Sequence, residues 1–160
     1  LENMMQLYLH DFAEFFPDHE DGQVDEQGRF HYDTPLREFV VRRDREAHLT
    51  RVDGKLAGFV LLSHDVELQA GAGRAVIEFF VLRSYRRRGL GRAMAYTMFD
   101  TYKGYWEISE LSPNVGAVAF WQEVIDSYTG GEYDEIRTKH PFYDDMEIVW
   151  QAFDSADWQD

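Results

Sequence analysis

The stretch from Glu78 to Arg92 constrains the fold of this chain more than any other part of its sequence. It reads Glu-Phe-Phe-Val-Leu-Arg-Ser-Tyr-Arg-Arg-Arg-Gly-Leu-Gly-Arg, an apolar segment followed by a polar turn with two glycines. A helix-forming run, residues 93–99, comes next. The first N–H groups of a helix have no partner inside it and favour an anion, and glycine lets a ligand approach the backbone closely. The pattern therefore predicts a strand–turn–helix unit that binds phosphate.

Four arginines flank this turn in a chain that is otherwise strongly acidic: Arg86, Arg87, Arg88 and Arg92. Guanidinium groups match phosphate oxygens better than ammonium groups do. Other phosphate loops fit the sequence poorly, because a dinucleotide fingerprint needs a small residue where Met94 stands, and the Gly-Lys-Ser/Thr of a Walker loop is absent. A lone Gly-x-Gly step is also typical of an ordinary tight turn with solvated arginines, and that alternative stays open on this pattern alone.

Two blocks carry a resemblance to a known family. The Arg-x-x-Gly-x-Gly step at residues 86–91, directly after Phe-Phe-Val at 79–81, resembles the acyl-CoA loop of the GNAT N-acetyltransferase superfamily. One strand later, Asn-Val-Gly-Ala-Val-Ala-Phe-Trp at 114–121 is similar to the Asn-x-x-Ala-x-x-Phe-Tyr helix of that family. The stretch Glu-Phe-Phe-Val at 78–81, followed by Tyr-Arg at 85–86, looks especially like polyamine acetyltransferases of that superfamily. In pattern, the resemblance covers about residues 46–153. It implies acetyl-CoA as the cosubstrate.

The resemblance also implies positions for the cofactor. Backbone groups of Phe80, Val81 and Leu82 would run beside the pantetheine arm, with the Val81 N–H facing the thioester oxygen. The turn would hold the pyrophosphate, Asn114 would bind the pantetheine amides, and two aromatic side chains would pack on the cofactor. The implied cofactor-binding residues are Phe80, Val81, Leu82, Arg86, Arg87, Arg88, Gly89, Leu90, Gly91, Arg92, Asn114, Phe120 and Trp121. Aromatic residues at helical spacing are more often plain core, and both interpretations can hold for Phe120 and Trp121.

Catalysis would need a base, because an alkyl ammonium with a pKa of about 10.4 is mostly protonated at neutral pH. Glu78 is the candidate base, since it is a lone carboxylate in an apolar strand end, where family members often carry an acidic residue. The alternative is a salt-bridged or edge-facing glutamate.

The departing thiolate could need an acid. Family members often use a tyrosine as acid where this chain has Trp121, and indole is a poor acid. Tyr128 or another tyrosine could replace it, or the thiolate could leave unassisted.

The alternation of elements predicts one domain over residues 1–160, with an acidic tail at 154–160. Its fold class is α/β (α+β): a mixed, mostly antiparallel central sheet flanked by about four helices. Predicted helices span 3–16, 36–45, 89–103 and 114–127, and predicted strands span 48–52, 55–64, 74–82, 105–111, 133–138 and 146–153. Most family members start with a strand before the first helix, whereas this sequence starts almost inside that helix. Either that strand was removed or the sheet lacks an edge. An open edge favours pairing with another chain, so a homodimer is a further expectation.

The amino-acid composition limits the classes of ligand and partner that are expected for this chain. The net charge of −14 argues against nucleic acid, whose binding needs a basic footprint, and favours cationic ligands. The chain has no cysteine, and its six histidines lack ligand spacing, so neither disulfides nor a metal is expected. The longest apolar run, near Leu56 to Leu62, is too short to cross a bilayer. A cytoplasmic enzyme without membrane contact is therefore expected.

Substrate specificity is expected in the loop of residues 17–33, where Asp18, Glu20 and Asp21 are the candidate substrate-binding residues. A second acidic set lies near the last hairpin: Glu132, Asp134, Glu135, Asp144 and Asp145. If both sets face the cleft, the site would attract a small cationic amine such as an aminoglycoside or a polyamine, although a charge run is more often simply solvated. The alternatives are acetylation of a protein N-terminus or lysine, and a non-catalytic acyl-CoA-binding module.

Overall fold

A six-stranded sheet forms the centre of the computed structural model, which describes residues 1–16, 19–141, 143 and 146–157. The strands are β1 (Arg45–Val52), β2 (Lys55–Ser63), β3 (Arg74–Val81), β4 (Tyr105–Leu111), β5 (Asp134–Lys139) and β6 (Glu147–Asp154). Their order across the sheet is β1-β2-β3-β4-β6-β5. Only β3 and β4 pair in parallel among these described strands, and all other neighbours are antiparallel. The predicted mixed, mostly antiparallel sheet is confirmed.

The described residues form four α-helices and several short 3-10 turns. The helices are α1 (Glu2–Phe12), α2 (Glu38–Val41), α3 (Leu90–Thr101) and α4 (Val115–Thr129). The helix predicted at 36–45 is much shorter than expected, because Arg42 already adopts an extended backbone and β1 begins at Arg45. As expected, α1 precedes every strand of the described chain, so β1 and β5 are the two edges of the sheet.

Two apolar layers cover the two faces of the sheet. On one face, α3 and α4 pack through residues such as Phe99 and Ile125 against Trp106 of β4. On the other face, α1 and α2 contribute Met5 and Phe39, among others, to a second cluster. Because successive strand side chains alternate between faces, Phe79 and Val81 of β3 join the α3/α4 layer, whereas Phe80 joins the α1 layer.

The parallel pair β3–β4 is short and opens into a gap. Its register pairs join only Arg74–Val76 to Trp106–Ile108, and beyond that point no pair joins the two strands in the described chain. The gap is this unpaired stretch between the ends of β3 and β4. On the opposite edge of β3, the N–H of Leu82 donates to the Ala57 carbonyl at 2.8 Å. Backbone groups of neighbouring strand residues point to alternate sides. The N–H and C=O groups of Val81, and those of Phe79, therefore point to the gap side of β3.

Candidate active site

The turn that follows β3, and the start of α3, come directly after the unpaired end of this strand. Gly89 is the N-cap of α3, with φ of 80°, and no side chain caps this helix end. The first bond of the helix runs from the Ala93 N–H to the Gly89 carbonyl at 3.0 Å. The N–H groups of Leu90, Gly91 and Arg92 therefore have no partner inside the helix. The structure thus has the uncapped helix start that the sequence pattern predicts here, and its use as an anion site stays a prediction.

The two glycines of the turn have different structural reasons. Gly89 lies in the left-handed region, and a Cβ added there would meet no described atom within 4 Å, so only its backbone conformation requires glycine. Gly91 has an ordinary backbone, but an added Cβ would lie 3.1 Å from two ring atoms of Phe120 on α4. Gly91 therefore allows α3 to approach α4 closely, which the sequence pattern alone does not reveal.

The four arginines of the turn divide into three groups. Arg87 and Arg88 are exposed, and Arg87 has a left-handed φ of 57°. Arg92 forms an ion pair with Glu123 on α4. Arg86 turns back towards α1, where it contacts Asp11, and its Nε donates to the Val81 carbonyl at 2.7 Å. Arg86 and Arg92 are thus tied to neighbouring helices, whereas Arg87 and Arg88 face solvent at the surface of the turn.

Glu78 lies on β3 opposite Leu61 of β2, on the face of the sheet that α1 covers. Burial raises the pKa of the Glu78 carboxyl to about 7, although hydrogen bonds from the hydroxyls of Tyr8 and Tyr32 lower it. Burial and the neighbouring Glu78 carboxylate both raise the pKa of Tyr8 well above its usual value, and the pKa of Tyr32 is raised in the same way. Both phenols therefore stay protonated as donors to a carboxylate that titrates near neutral pH.

Tyr8 and Tyr32 are the site residues that sequence reasoning missed. Tyr8 lies on α1, and its ring packs against Phe12, Phe59 and Phe80 with centroid separations of 5.5, 6.0 and 5.8 Å. Its place in the apolar repeat of α1 marks it as a core residue, but does not show which polar group its hydroxyl meets. Tyr32 lies in the loop before α2, where no local pattern indicates a contact with β3.

The structure does not bring Tyr128, the candidate acid, to the turn between β3 and α3. The Tyr128 hydroxyl donates to Asp100 Oδ1 at 2.8 Å and accepts from Lys103 Nζ at 3.0 Å. Asp100 lies in the last turn of α3, whereas the predicted anion site is at the first turn of the same helix. A helix of 12 residues is about 18 Å long. Tyr128 is thus separated from the turn by roughly the length of α3.

The residues of the second sequence block have structural partners of their own. Asn114 is the N-cap of α4, and its Oδ1 accepts from the Ala117 N–H at 3.1 Å. Trp121 is only 4% exposed, and its ring lies 4.9 Å from that of Phe79. Phe120 is half-buried between Gly91 and Phe79, with a ring separation of 5.7 Å from the latter. Trp121 is therefore a core residue, while Phe120 lies beside the turn and the gap.

The acidic loop is folded and attached to α1 and to the last hairpin. Both polar atoms of the Gln6 side-chain amide bond the backbone of Phe30, at 3.0 and 2.9 Å. Asp21 accepts a hydrogen bond from the Tyr143 hydroxyl, and the Tyr143 ring lies 5.2 Å from that of Phe16. Glu20 begins the 3-10 turn Glu20–Gly22 and is exposed. The predicted substrate residue Asp18 lies outside the described residues.

The structure describes only part of the second acidic set, the one near the last hairpin. Asp144 and Asp145 lie outside the described residues. Glu132, Asp134 and Glu135 are exposed at the beginning of β5, and Glu135 accepts from Gln122 of α4 at 2.7 Å. In the described part of the chain, Asp21 is the acidic residue that joins the loop after α1 to the hairpin between β5 and β6.

Comparison with known proteins identifies the family. The model of the GNAT acetyltransferase family matches residues 1–125, and the chain therefore belongs to that family. The comparison with curated proteins found no significant match. Within the described residues, no group of three or more histidines and carboxylates is arranged to hold a metal ion. None of the described helices has the length and apolar character needed to cross a membrane.

Solved structures of the same fold are similar to this chain at low identity. An aminoglycoside 6'-N-acetyltransferase complexed with coenzyme A matches with a TM-score of 0.57 and 11% identity, covering 97% of this chain and 91% of the other. The ribosomal-protein-S18-alanine N-acetyltransferase from Escherichia coli matches with a TM-score of 0.57 and 16% identity, covering 77% of this chain and 78% of the other. An acetyltransferase from Bacillus subtilis in complex with CoA matches with a TM-score of 0.52 and 13% identity, covering 74% of this chain and 82% of the other. At these identities the likeness shows the fold.

Proposed function

We propose that this GNAT protein transfers an acetyl group from acetyl-CoA to a primary amine of a small cationic acceptor such as an aminoglycoside or a polyamine. The observation that carries the proposal is the buried carboxyl of Glu78, which lies on the strand whose open backbone lines the gap below the anion-binding turn. Its pKa of about 7 suits a base that works near neutral pH. The match of the GNAT family model to residues 1–125 supports acetyl-CoA as the acyl donor.

Binding of the cosubstrate would use backbone groups. The first N–H groups of α3 and the exposed Arg87 and Arg88 suit the pyrophosphate. The gap-facing groups of Phe79 suit the amides of the pantetheine arm, which would take the place of a neighbouring strand, whereas the Val81 carbonyl already accepts from Arg86 Nε. The Val81 N–H is then the donor for the oxygen that gains charge during acyl transfer. Acetyl-CoA supplies the activated acyl group, and the protein supplies its alignment.

Proton transfer would depend on Glu78. An acceptor ammonium must lose a proton before its nitrogen can attack, and the ionised Glu78 carboxylate can take it directly or through one water. Tyr8 and Tyr32 orient that carboxylate and lower its pKa, so a useful fraction is ionised at neutral pH. On the other side of the reaction, a thiol has an ordinary pKa of about 8.5, so a thiolate can leave without a strong acid. No role for Tyr128 is needed.

Mass spectrometry of products tests the reaction. The protein is incubated with acetyl-CoA and a panel of aminoglycosides, polyamines and lysine-containing peptides, beside Glu78→Gln and the exposed control Glu132→Gln. We expect acetylated small amines from the wild type and the control, and a loss of about 10²- to 10⁴-fold in Glu78→Gln. Acetylation of peptides alone would favour a protein acetyltransferase. Binding of acetyl-CoA without any product would favour a non-catalytic module.

The charge of the acidic loop tests the substrate class. Neutralising Asp18, Glu20 and Asp21 together, to Asn or Gln, is expected to raise KM for a multiply charged amine more than for a singly charged one. The reason is that each additional ammonium gains from the negative field. Since exposed charges are screened over about 10 Å at 0.1 M salt, KM should also rise with ionic strength while kcat changes little. Equal effects on both amines would mean that the loop charges are only solvated surface.

A further inference from the structure

One side of the sheet is left open where β4, β6 and β5 lie next to each other. The apolar layer of α1 and α2 covers β1 to β3, and that of α3 and α4 covers the other side of the sheet. Ile108 belongs to the α3/α4 layer, so the next residue of β4, Ser109, points to the α1 side. Trp150 of β6 lies opposite Ser109, and Ile136 of β5 lies opposite Trp150. Since partners on antiparallel strands share a side of the sheet, Ser109, Trp150 and Ile136 form an open face that none of the described helices covers.

The candidate base lies at the same level of the sheet as this open face. The last pair between β3 and β4 joins Val76 to Ile108. A bulge after Val76 leaves Ile77 without a partner on β2, so Glu78 is level with Ser109, the next residue of β4. Glu78 also points to the α1 side, because its partner Leu61 belongs to the α1 layer. Neighbouring strands lie about 4.8 Å apart, so the middle of the open face is roughly 10 Å from the base.

The indole of Trp150 forms the centre of the open face. Its Nε1 donates to Thr138 Oγ1 at 2.9 Å, so the N–H has its partner within the protein and the flat side of the ring is left for a ligand. Trp150 is half-buried, whereas Ile136 is 44% exposed and Ser109 is exposed. The flat side of an indole attracts cations better than other aromatic rings do. The open face thus combines an aromatic ring, an apolar side chain and a hydroxyl group.

The charges around the open face favour a cation that also carries a ring. Arg137 and Lys139 of β5 point to the other side of the sheet. The charged residues of β4, β5 and β6 on the α1 side are acidic: Glu107, Asp134 and Asp154. Glu107 is fully buried and accepts two backbone N–H groups of the β2–β3 loop, at 2.6 and 2.8 Å. The two aspartates lie on the side of Trp150 away from the β5–β6 hairpin. A linear polyamine would need a carboxylate for each ammonium along its path, whereas an amino sugar can use the indole and the hydroxyl.

We propose that Trp150 is a specificity-determining residue of the acceptor site, and that the acceptor is an aminoglycoside with one amino sugar ring on the Trp150 indole. An amine on the neighbouring ring then crosses Ser109 and reaches the gap beside Glu78. The C–H groups of the sugar pack on the indole, its ammonium groups gain from the ring and the acidic surroundings, and its hydroxyls bond Ser109. This inference rests on the proposed acetyl transfer and narrows its acceptor from cationic amines in general to amino sugars.

Steady-state kinetics test the role of Trp150. KM and kcat for kanamycin, tobramycin and spermidine are measured in Trp150→Ala, with Leu49→Ala as control, since Leu49 is an exposed apolar residue of the edge strand β1. We expect KM for both aminoglycosides to rise at least about tenfold in Trp150→Ala, while their kcat and the KM for spermidine stay within about twofold, because the indole contacts the ground state and the transition state alike. Trp150→Phe keeps an aromatic ring and should give intermediate values. An unchanged KM for the aminoglycosides, or an equal rise for spermidine, overturns the inference.

Ser109→Phe tests the same path without removing a half-buried side chain, and it takes the place of Trp150→Ala if that variant does not fold. A bulky ring between the gap and the indole should raise KM for both aminoglycosides at least about tenfold, because the acceptor must cross this position. A KM equal to that of the wild type would show that the acceptor does not cross Ser109.

Calorimetry separates this inference from the proposed reaction. Kanamycin and tobramycin are titrated into the wild type and Trp150→Ala, each saturated with CoA, so that no acetyl group can be transferred. Binding that is at least about tenfold weaker in Trp150→Ala supports the inference even if the wild type acetylates no amine, in which case only the proposed function fails. Equal binding by both proteins, or no binding by the wild type, overturns the inference. A wild type that sediments as a dimer, beside a monomeric Trp150→Ala, would assign the open face to a second copy of the chain and also overturn it.

Discussion

Replacing Glu78 by glutamine should make the protein more stable at alkaline pH while it removes activity. The cause is the burial of a carboxylate, which raises its pKa to about 7 from an ordinary value of 4.5. The folded state therefore binds the proton more tightly than the unfolded state does. Stability is lost as pH rises from the unfolded pKa through the folded pKa, because the buried group must then be ionised. The side-chain amide of the Glu78→Gln variant carries no charge at any of these pH values, so the variant escapes the loss.

The expected size follows from these two pKa values. For a single site, the destabilisation by Glu78 is about 1.4 kcal/mol at a pH of about 5.5 and about 3 kcal/mol at a pH of about 8. The difference in free energy of unfolding between Glu78→Gln and the wild type should thus widen by about 2 kcal/mol between these conditions. Because an amide can still accept from Tyr8 and Tyr32, the substitution keeps the local contacts.

Urea unfolding at both pH values measures this difference, with the exposed Glu132→Gln as control. The control should show no widening. An equal difference at both pH values for Glu78→Gln would refute the reasoning, because it would mean that Glu78 titrates alike in the folded and unfolded states. In that case a base with a raised pKa would also be lost from the proposed mechanism.

Four further substitutions have distinct expected outcomes. Gly89→Val forces a β-branched residue into the left-handed region and should weaken acetyl-CoA binding at least about tenfold by calorimetry; unchanged affinity would argue against the turn as the phosphate site. Gly91→Ala should instead lower the free energy of unfolding by about 1 to 3 kcal/mol through its contact with Phe120, which thermal unfolding checks. Tyr8→Phe removes a hydrogen bond to the carboxylate of the base, so the acidic limb of the rate profile should move to higher pH, and an unmoved limb would contradict the assigned contact. Burial raises the pKa of Glu110 to about 8, so Glu110→Gln should stabilise the protein above neutral pH on the order of 1 to 4 kcal/mol, and no gain at alkaline pH would contradict this burial argument.

The fold class and the family could be predicted because both depend on local patterns. The change from an apolar run to glycines and then to a helix is visible within residues 78–99, and the structure has the predicted strand, turn and helix there. The family assigned from the two sequence blocks is confirmed by the family model. Boundaries were harder to predict, as the shortened α2 shows, because a helix end depends on the tertiary contacts of the residues that follow it.

The surroundings of the candidate base could not be predicted in the same way. Periodicity shows that Tyr8 faces the core, but the contact with Glu78 depends on how α1 lies across β3. Tyr32 is further from any local signal, because it lies in a loop that makes tertiary contacts, such as the two bonds between Gln6 and Phe30. Tyr128 shows the converse: it follows the second family block on the same helix, α4, yet its position along that helix takes it to the far end of α3. The role of Glu78 as base stays a prediction.

The short junction between β3 and β4 has a consequence for ligand linkage. The sheet consists of two three-stranded blocks, and three register pairs form the seam between them in the described chain. A ligand arm lying in the gap would add backbone hydrogen bonds across this seam, so binding would complete the sheet as well as occupy the site. Stabilisation by a ligand specific for the folded state is about 2.7 kcal/mol at about 100 times its Kd. The melting temperature should therefore report occupancy of the gap, whatever the acceptor amine.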